Sequence, residues 1–300
     1  MSDWGQGAKN NNIGWGQGAV NNDISWGSVH ANSWSGDTNI VGFAYDADYQ
    51  AVLDRAVALG YTLPNDSQKI VQNQLVLDLK AGGVWSKLDV FYVFATGTNA
   101  TNAFASLNWK SPTLYQGTLT NPLTFATNVG FTNNSIGSIS TNFIPSSQGV
   151  NYQKDDASRF AWIQNVGIGF IDGIMSNSVN RMTFTGTPDT QNINNGTTSN
   201  AIGALSGVGL KSINRPANNQ IRLFQNTTLS VSGTTTSTAS SPAAQLIFRS
   251  SGGSTPTIAN YGTHTISVYG MGASLVTAGG NATLNTNLYN AINTYMTNLV

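Results

Sequence analysis

Leu88-Asp89-Val90-Phe91-Tyr92-Val93-Phe94 is a largely apolar run of strand length, the pattern of a central strand in a β-sandwich. Similar short runs follow along the chain. They are Arg159-Phe160-Ala161-Trp162-Ile163, Ile221-Arg222-Leu223-Phe224 and Gln245-Leu246-Ile247-Phe248. Thr263-His264-Thr265-Ile266-Ser267-Val268-Tyr269 alternates polar and apolar residues more cleanly. Clusters of Gly, Asn, Ser and Thr separate these runs. Many short strands at this spacing predict an antiparallel sandwich over residues 84–282.

Helical periodicity frames the strands on both sides. Residues 44–83 read as a helical hairpin. Asp46 or Asp48 caps a first helix with Tyr49, Val52, Leu53, Ala56 and Val57 on one face, and Gly60 stops it. Pro64-Asn65-Asp66 opens the second helix, where Val71, Leu75 and Leu79 recur before Gly82-Gly83 ends it. At the other end Leu284, Leu288, Ile292, Tyr295 and Leu299 form an amphipathic stripe with Thr283 as its cap. The sandwich region with this helix spans 84–300.

The first 43 residues follow neither pattern. Trp4-Gly5-Gln6-Gly7-Ala8 returns as Trp15-Gly16-Gln17-Gly18-Ala19, and Trp26-Gly27 opens a third, degenerate copy, an 11-residue period. An 11-residue period suits a supercoiled helix, but the density of Gly and Asn opposes helix. An extended arm is expected, with Trp4, Trp15, Trp26, Ile13 and Ile24 as periodic anchors for a partner surface.

Composition narrows the function. Charged residues make up only 9% of the chain, and Asn, Thr, Ser and Gly supply its polarity. Lys plus Arg equals Asp plus Glu at 13 each, so the basic excess of a nucleic-acid binder is absent. No apolar run reaches membrane-spanning length, and Met1-Ser2-Asp3-Trp4-Gly5 does not open a signal peptide. An exterior composition without an export signal fits assembly in a cytoplasm and release by lysis. With no cysteine, disulfides and Cys-based zinc sites are excluded.

Motifs for chemistry are scarce. All 13 acidic residues are Asp, so the Glu pair of many sandwich glycosidases is missing. Asp155-Asp156 is the adjacent acidic pair, and neighbours on a strand face opposite ways. The two histidines, His30 and His264, cannot make a His-rich metal cluster, and no Gly-x-Ser-x-Gly elbow presents a nucleophile. His264 is expected to be a hydrogen-bonded strand residue. Gly203–Ser212 lacks the Gly-Lys step of a phosphate loop, since Leu210 precedes Lys211. No catalytic residue, metal or cofactor is expected, and the chain reads as a non-enzyme. Trp109 and Tyr152, with Asp155 and Asp156, are candidates for stacking on and hydrogen-bonding to sugar rings. Trp109 and Tyr152 serve the core equally well on this reading, whereas Trp162 is assigned to the core.

Residues 86–116, ending Leu107-Asn108-Trp109-Lys110-Ser111-Pro112, resemble the opening of the LamG-like, concanavalin A-like sandwiches of phage virion proteins. Asn151-Tyr152-Gln153-Lys154-Asp155-Asp156-Ala157-Ser158 is similar to the segment that precedes a central strand there. Tyr269-Gly270-Met271-Gly272-Ala273-Ser274-Leu275 and the Tyr289–Tyr295 helix resemble that family's closing strand and helix. The Trp-Gly-Gln-Gly-Ala repeat is similar to N-terminal segments of structural proteins from phages of Bacteroidetes-type hosts. The resemblance implies a mainly β, jelly-roll sandwich and a virion protein: a head fibre, capsid decoration or tail fibre subunit. It implies other virion proteins and further copies of the chain as partners, a trimer by analogy, with a host-surface glycan as a third. A lectin-like receptor-binding protein is the alternative, and a polysaccharide depolymerase is disfavoured by the missing Glu. The family's Asp-centred calcium site has no match in these residues.

Overall fold

A computed structural model describes residues 44–96, 102–121, 123–134, 136–174, 180–184, 190–195, 200–201, 205–249 and 261–299. The expected arm anchors Trp4, Ile13, Trp15, Ile24 and Trp26, together with His30, lie outside the described residues. Asp46–Val300 constitutes one of two units in the chain.

This unit begins with helices α1 (Ala47–Ala58) and α2 (Asp66–Ala81). Strands follow as β1 (Leu88–Val93), β2 (Thr118–Thr120), β3 (Thr124–Ala126), β4 (Gly130–Thr132) and β5 (Ser138–Ser140). Next come β6 (Ala157–Asn165), β7 (Gly169–Gly173), β8 (Arg181–Phe184), β9 (Thr190–Gln191) and β10 (Asn200–Ala201). The last strands are β11 (Gly209–Ala217), β12 (Gln220–Gln225), β13 (Thr228–Gly233), β14 (Leu246–Ile247) and β15 (Thr265–Gly272), before helix α3 (Thr283–Asn298).

The strands form a mainly β, sandwich-like fold of two antiparallel sheets, with few helices. The larger sheet runs β13-β12-β11-β6-β15-β4-β3. One edge of β15 is shared: β4 pairs with Thr265 and Ile266, and β1 pairs with Val268 through Gly272. The smaller sheet runs β2-β5-β14-β7-β8, and β9 and β10 pair separately. Between the sheets Val90, Tyr92, Ile163, Ile213, Leu223, Tyr269 and Met271 meet Ile139, Ile171, Met182 and Ile247, all buried. Full burial of one such side chain is worth about 1.5–3 kcal/mol as an upper estimate.

The opposite face of the larger sheet is covered as well. Phe91 packs edge-on against Trp85 and Trp109, and Trp162 stacks on Tyr289 of α3. Ser212 on β11 donates to Asn285 on α3 at 2.6 Å. This double cover explains why Leu88–Phe94 is apolar apart from Asp89: every residue of β1 is buried. The same cover reaches β15, which is buried along its whole length. Its polar residues bond beneath neighbouring strands: Ser267 Oγ donates to Val129 O at 2.6 Å, and the Thr265 and Thr132 hydroxyls lie 2.7 Å apart.

The helices show how local chemistry sets boundaries. The Asp46 side chain accepts from Asp48 N, and Asn65 accepts from Gln68 N, satisfying amides that each helix start leaves unpaired. After α1, Gly60 N–H donates to Val57 O and Tyr61 N–H to Ala56 O, with Gly60 at φ +70°. After α2, Gly83 and Val84 repeat this with Lys80 O and Leu79 O. Both are Schellman ends, where a left-handed residue is needed and glycine has no Cβ to oppose it. Three expectations are corrected. Val57 is 62% exposed, since the face of α1 closes at Ala56. The buried face of α2 runs through Gln68, Gln72, Asn73 and Val76 as well as Leu75 and Leu79, because Tyr49 OH bonds Gln72 Oε1 at 2.7 Å. Thr283 does not cap α3: its own N–H donates to Asn281 Oδ1 at 2.9 Å. Among the described residues no helix is long and apolar enough to cross a membrane.

Candidate functional site

Trp109 and Tyr152, which the sequence leaves open between core and sugar contact, are both 0% exposed. Trp109 sits beneath the helices, its ring 5.5 Å from Tyr49 and 6.4 Å from Phe91 and Phe104. Tyr152 belongs to the core between the sheets and donates to Asn194 Oδ1 at 3.1 Å. The two rings therefore serve different layers and do not form one site.

Asp155 and Asp156 occupy the turn entering β6. Asp156 Oδ1 accepts from Ser274 N at 2.7 Å, and its backbone closes the turn with Gln153. Asp155 accepts from the Ser237 hydroxyl and lies 3.5 Å from Lys154 Nζ. Both carboxylates act here as ties between segments distant in sequence.

Beneath this turn lies a polar cluster the sequence did not reveal. Arg159 Nη1 meets Asp172 Oδ1 at 2.5 Å, and neither side chain is exposed. Tyr269 OH donates to Asp172 Oδ2 at 2.6 Å, and Arg215 Nε donates to Ile193 O at 2.7 Å. Burial raises the Asp172 carboxyl, opposed by the Arg159 charge and the Tyr269 hydrogen bond. Burial likewise pushes the Tyr152 phenol up to about 12. This enclosed ion pair links β6 of the larger sheet to β7 of the smaller one.

His264 is buried at the end of the sandwich beside the β6–β7 turn. Gly167 N–H donates to its Nδ1 at 3.0 Å, and burial lowers its pKa to about 4. The imidazole is thus a neutral acceptor.

At that end a cavity of about 460 Å³ opens beside the β12–β13 turn and α3, lined by Gln225, Asn226, Thr227, Thr228, Ser230 and Tyr289. Asn226 takes φ +56° to make the turn. Its Oδ1 accepts from Leu210 N at 2.9 Å, and its carbonyl accepts from Asn285 Nδ2 at 2.9 Å. Gln225 Oε1 accepts from Ser206 N at 3.2 Å. Both amide oxygens are thus engaged within the protein. Tyr289 stands half-buried, stacked on Trp162 with centroids 5.9 Å apart and planes 29° from parallel. Trp162 is thereby held beneath α3 and outside the inter-sheet core. Sequence reading passed over this site. Its one visible signal was an aromatic residue, Tyr289, one position off the apolar stripe of α3.

No protein-family model matches the chain, and no curated protein sequence matches it. Solved structures do. Domain 4 of a GH43 extracellular arabinanase from Geobacillus stearothermophilus, in complex with arabinotriose, aligns over 68% of this chain and 98% of its own, at 13% identity and TM-score 0.39. A Trypanosoma rangeli sialidase mutant displaying trans-sialidase activity aligns over 75% of this chain and 39% of its own, at 10% and 0.45. A GH54 arabinofuranosidase aligns over 72% and 65%, at 13% and 0.38. These neighbours overturn the expectation, drawn from the missing Glu, that such a chain is a non-enzyme: the proteins it is similar to are glycoside hydrolases or parts of them. The missing Glu removed one carboxylate type and left every Asp in place. At this identity the likeness is one of fold and assigns no reaction to this chain.

Proposed function

We propose that this chain is a structural subunit of a bacteriophage particle, a head fibre, capsid decoration or tail fibre, whose β-sandwich adheres to host-surface glycan. The observation that carries the adhesive part is the cavity beside Tyr289, where amides and hydroxyls surround a supported aromatic ring. Hydroxyl-rich ligands need many directional hydrogen bonds and one flat apolar surface, and this lining has both. The virion part is supported by the Trp-Gly repeat, the low charge and the resemblance to phage sandwiches. Trp4, Trp15, Trp26, Ile13 and Ile24 would tie the chain to the particle. Several copies per particle would raise weak single-site binding by avidity.

Immunogold labelling of intact particles with an antibody against residues 84–300, combined with host-cell binding of the purified chain, tests both parts. Gold on capsid or tail together with saturable cell binding is expected. Gold without cell binding reduces the protein to an architectural role. Absence of gold, with the protein present in the lysate, removes the virion reading.

A further inference from the structure

We propose that the cavity beside the β12–β13 turn is a cation-independent subsite for an uncharged saccharide, with Tyr289 as its stacking platform. The inference rests on the adhesive reading above and names the ligand class of that same site.

The volume comes first. About 460 Å³ falls within the range of roughly 300–1,000 Å³ usual for small-molecule sites. The lining then selects the ligand. Gln225, Asn226, Thr227, Thr228 and Ser230 carry amides or hydroxyls, and Tyr289 carries a ring with a hydroxyl. An apolar ligand would strip water from these groups and leave them unpaired, which costs more than its own burial returns. A sugar supplies hydroxyls to pair with them and a C–H face to lie on the phenol ring.

Charge decides the subclass. Among the described residues the lining contains no Lys, Arg, His, Asp or Glu. A sialic or uronic acid carboxylate entering here would shed hydration with no opposite charge to meet it. Among the described residues it likewise offers no carboxylate through which a divalent cation could bridge to sugar hydroxyls.

The platform is built to stay in place. Tyr289 is backed by Trp162, whose Nε1 bonds Gln164 Oε1 at 3.4 Å. The opposite wall is the turn at Asn226, tied to both β11 and α3. Binding therefore immobilises few protein groups, which limits its entropic cost.

The test is titration of the purified full-length chain with maltohexaose, mannohexaose, sialyllactose and trigalacturonic acid, each with and without EDTA. The same titrations are run on Tyr289→Ala, Tyr289→Phe and Ser230→Trp. Ser230 is exposed on the edge strand β13, so the Trp blocks the cavity without entering the core. Expected is binding of a neutral oligomer unchanged by EDTA. Tyr289→Ala and Ser230→Trp should each weaken it by roughly tenfold or more, about 1.4 kcal/mol, with Tyr289→Phe within a few-fold of wild type. Binding of the acidic saccharides alone, or loss with EDTA, overturns the ligand class. Full binding by a folded Ser230→Trp places recognition elsewhere and leaves adhesion standing. A chain that adheres to host cells but binds no neutral oligomer also overturns the proposal, and one that does neither removes the adhesive reading with it.

Discussion

Arg159 on β6 and Asp172 on β7 face each other across the two sheets, their charged atoms 2.5 Å apart and fully buried. The pair joins the larger sheet to the smaller one at a depth where neither charge has access to water. Removing one partner leaves the other uncompensated, which typically costs about 3–5 kcal/mol. Asp172→Asn should therefore lower stability by about that amount in urea unfolding. The double replacement Arg159→Met with Asp172→Leu should recover most of the loss, because it leaves neither charge of the pair buried without the other. A double variant no more stable than the single would show that the network positions the sheets in some other way.

Phe160 lies over Gly270, its cross-strand partner on β15. A Cβ built on Gly270 would stand 2.3 Å from Phe160 Cζ, far inside contact distance. Gly270→Ala should destabilise by about 1–3 kcal/mol, the range for overpacking a filled core. Adding Phe160→Leu should relieve part of that cost, so the two changes should be non-additive in thermal melts. Simple additivity would mean that the ring is not what the glycine accommodates.

These relationships mark the boundary of what the residues disclose in one dimension. Leu88–Phe94 was legible as a central strand because its side chains alone require burial on both faces. The helix ends at Gly60 and Gly82-Gly83 were legible because a left-handed residue after the last turn is a local requirement. The exposure of Val57 and the burial of Thr265 and Ser267 were not, since they depend on which element covers the second face. The same holds for the site. Trp109 and Tyr152 were visible as aromatics, but only packing reveals that one lies under helices and the other between sheets. Tyr289, Asn226 and Ser230 come together from a turn, an edge strand and the terminal helix, and no spacing in the sequence announces it.

His264 makes stability depend on pH in a stated direction. Its pKa falls from 6.5 unfolded to about 4 folded, because burial disfavours the charged ring. As pH drops below 6.5 the unfolded chain takes up a proton that the folded chain refuses, so stability is lost down to about pH 4. The full loss is about 3 kcal/mol, from 1.36 kcal/mol per unit. Asp172, whose carboxyl is raised by burial, acts in the opposite sense on acidification. Comparing wild type with His264→Gln at pH 7 and pH 4.5 isolates the histidine: the acid-induced loss should shrink in the variant. Equal losses would mean that His264 is charged in the folded state.

Asp89 is the one acidic residue in the strand that defines the fold, and its carboxylate faces the loop before β6. Its oxygens accept from Asn151 N at 3.0 and 3.1 Å, from Tyr152 N at 2.7 Å and from Asn151 Nδ2 at 3.2 Å. This accounts for a charge in an otherwise apolar run: backbone amides of a distant segment converge on it and need a strong acceptor. Tyr152 is thereby set into the core, and the turn at Asp155 and Asp156 follows directly behind it. Asp89→Asn keeps the shape but loses one acceptor oxygen and the charge, so a cost of about 2–3 kcal/mol is expected. Amide hydrogen exchange at residues 151 and 152 should speed up in the variant before exchange in β6 changes, because the loop loosens while the strand ladder stays closed. If exchange at both amides matches wild type, Asp89 does not hold the loop, and its burial has a different cause.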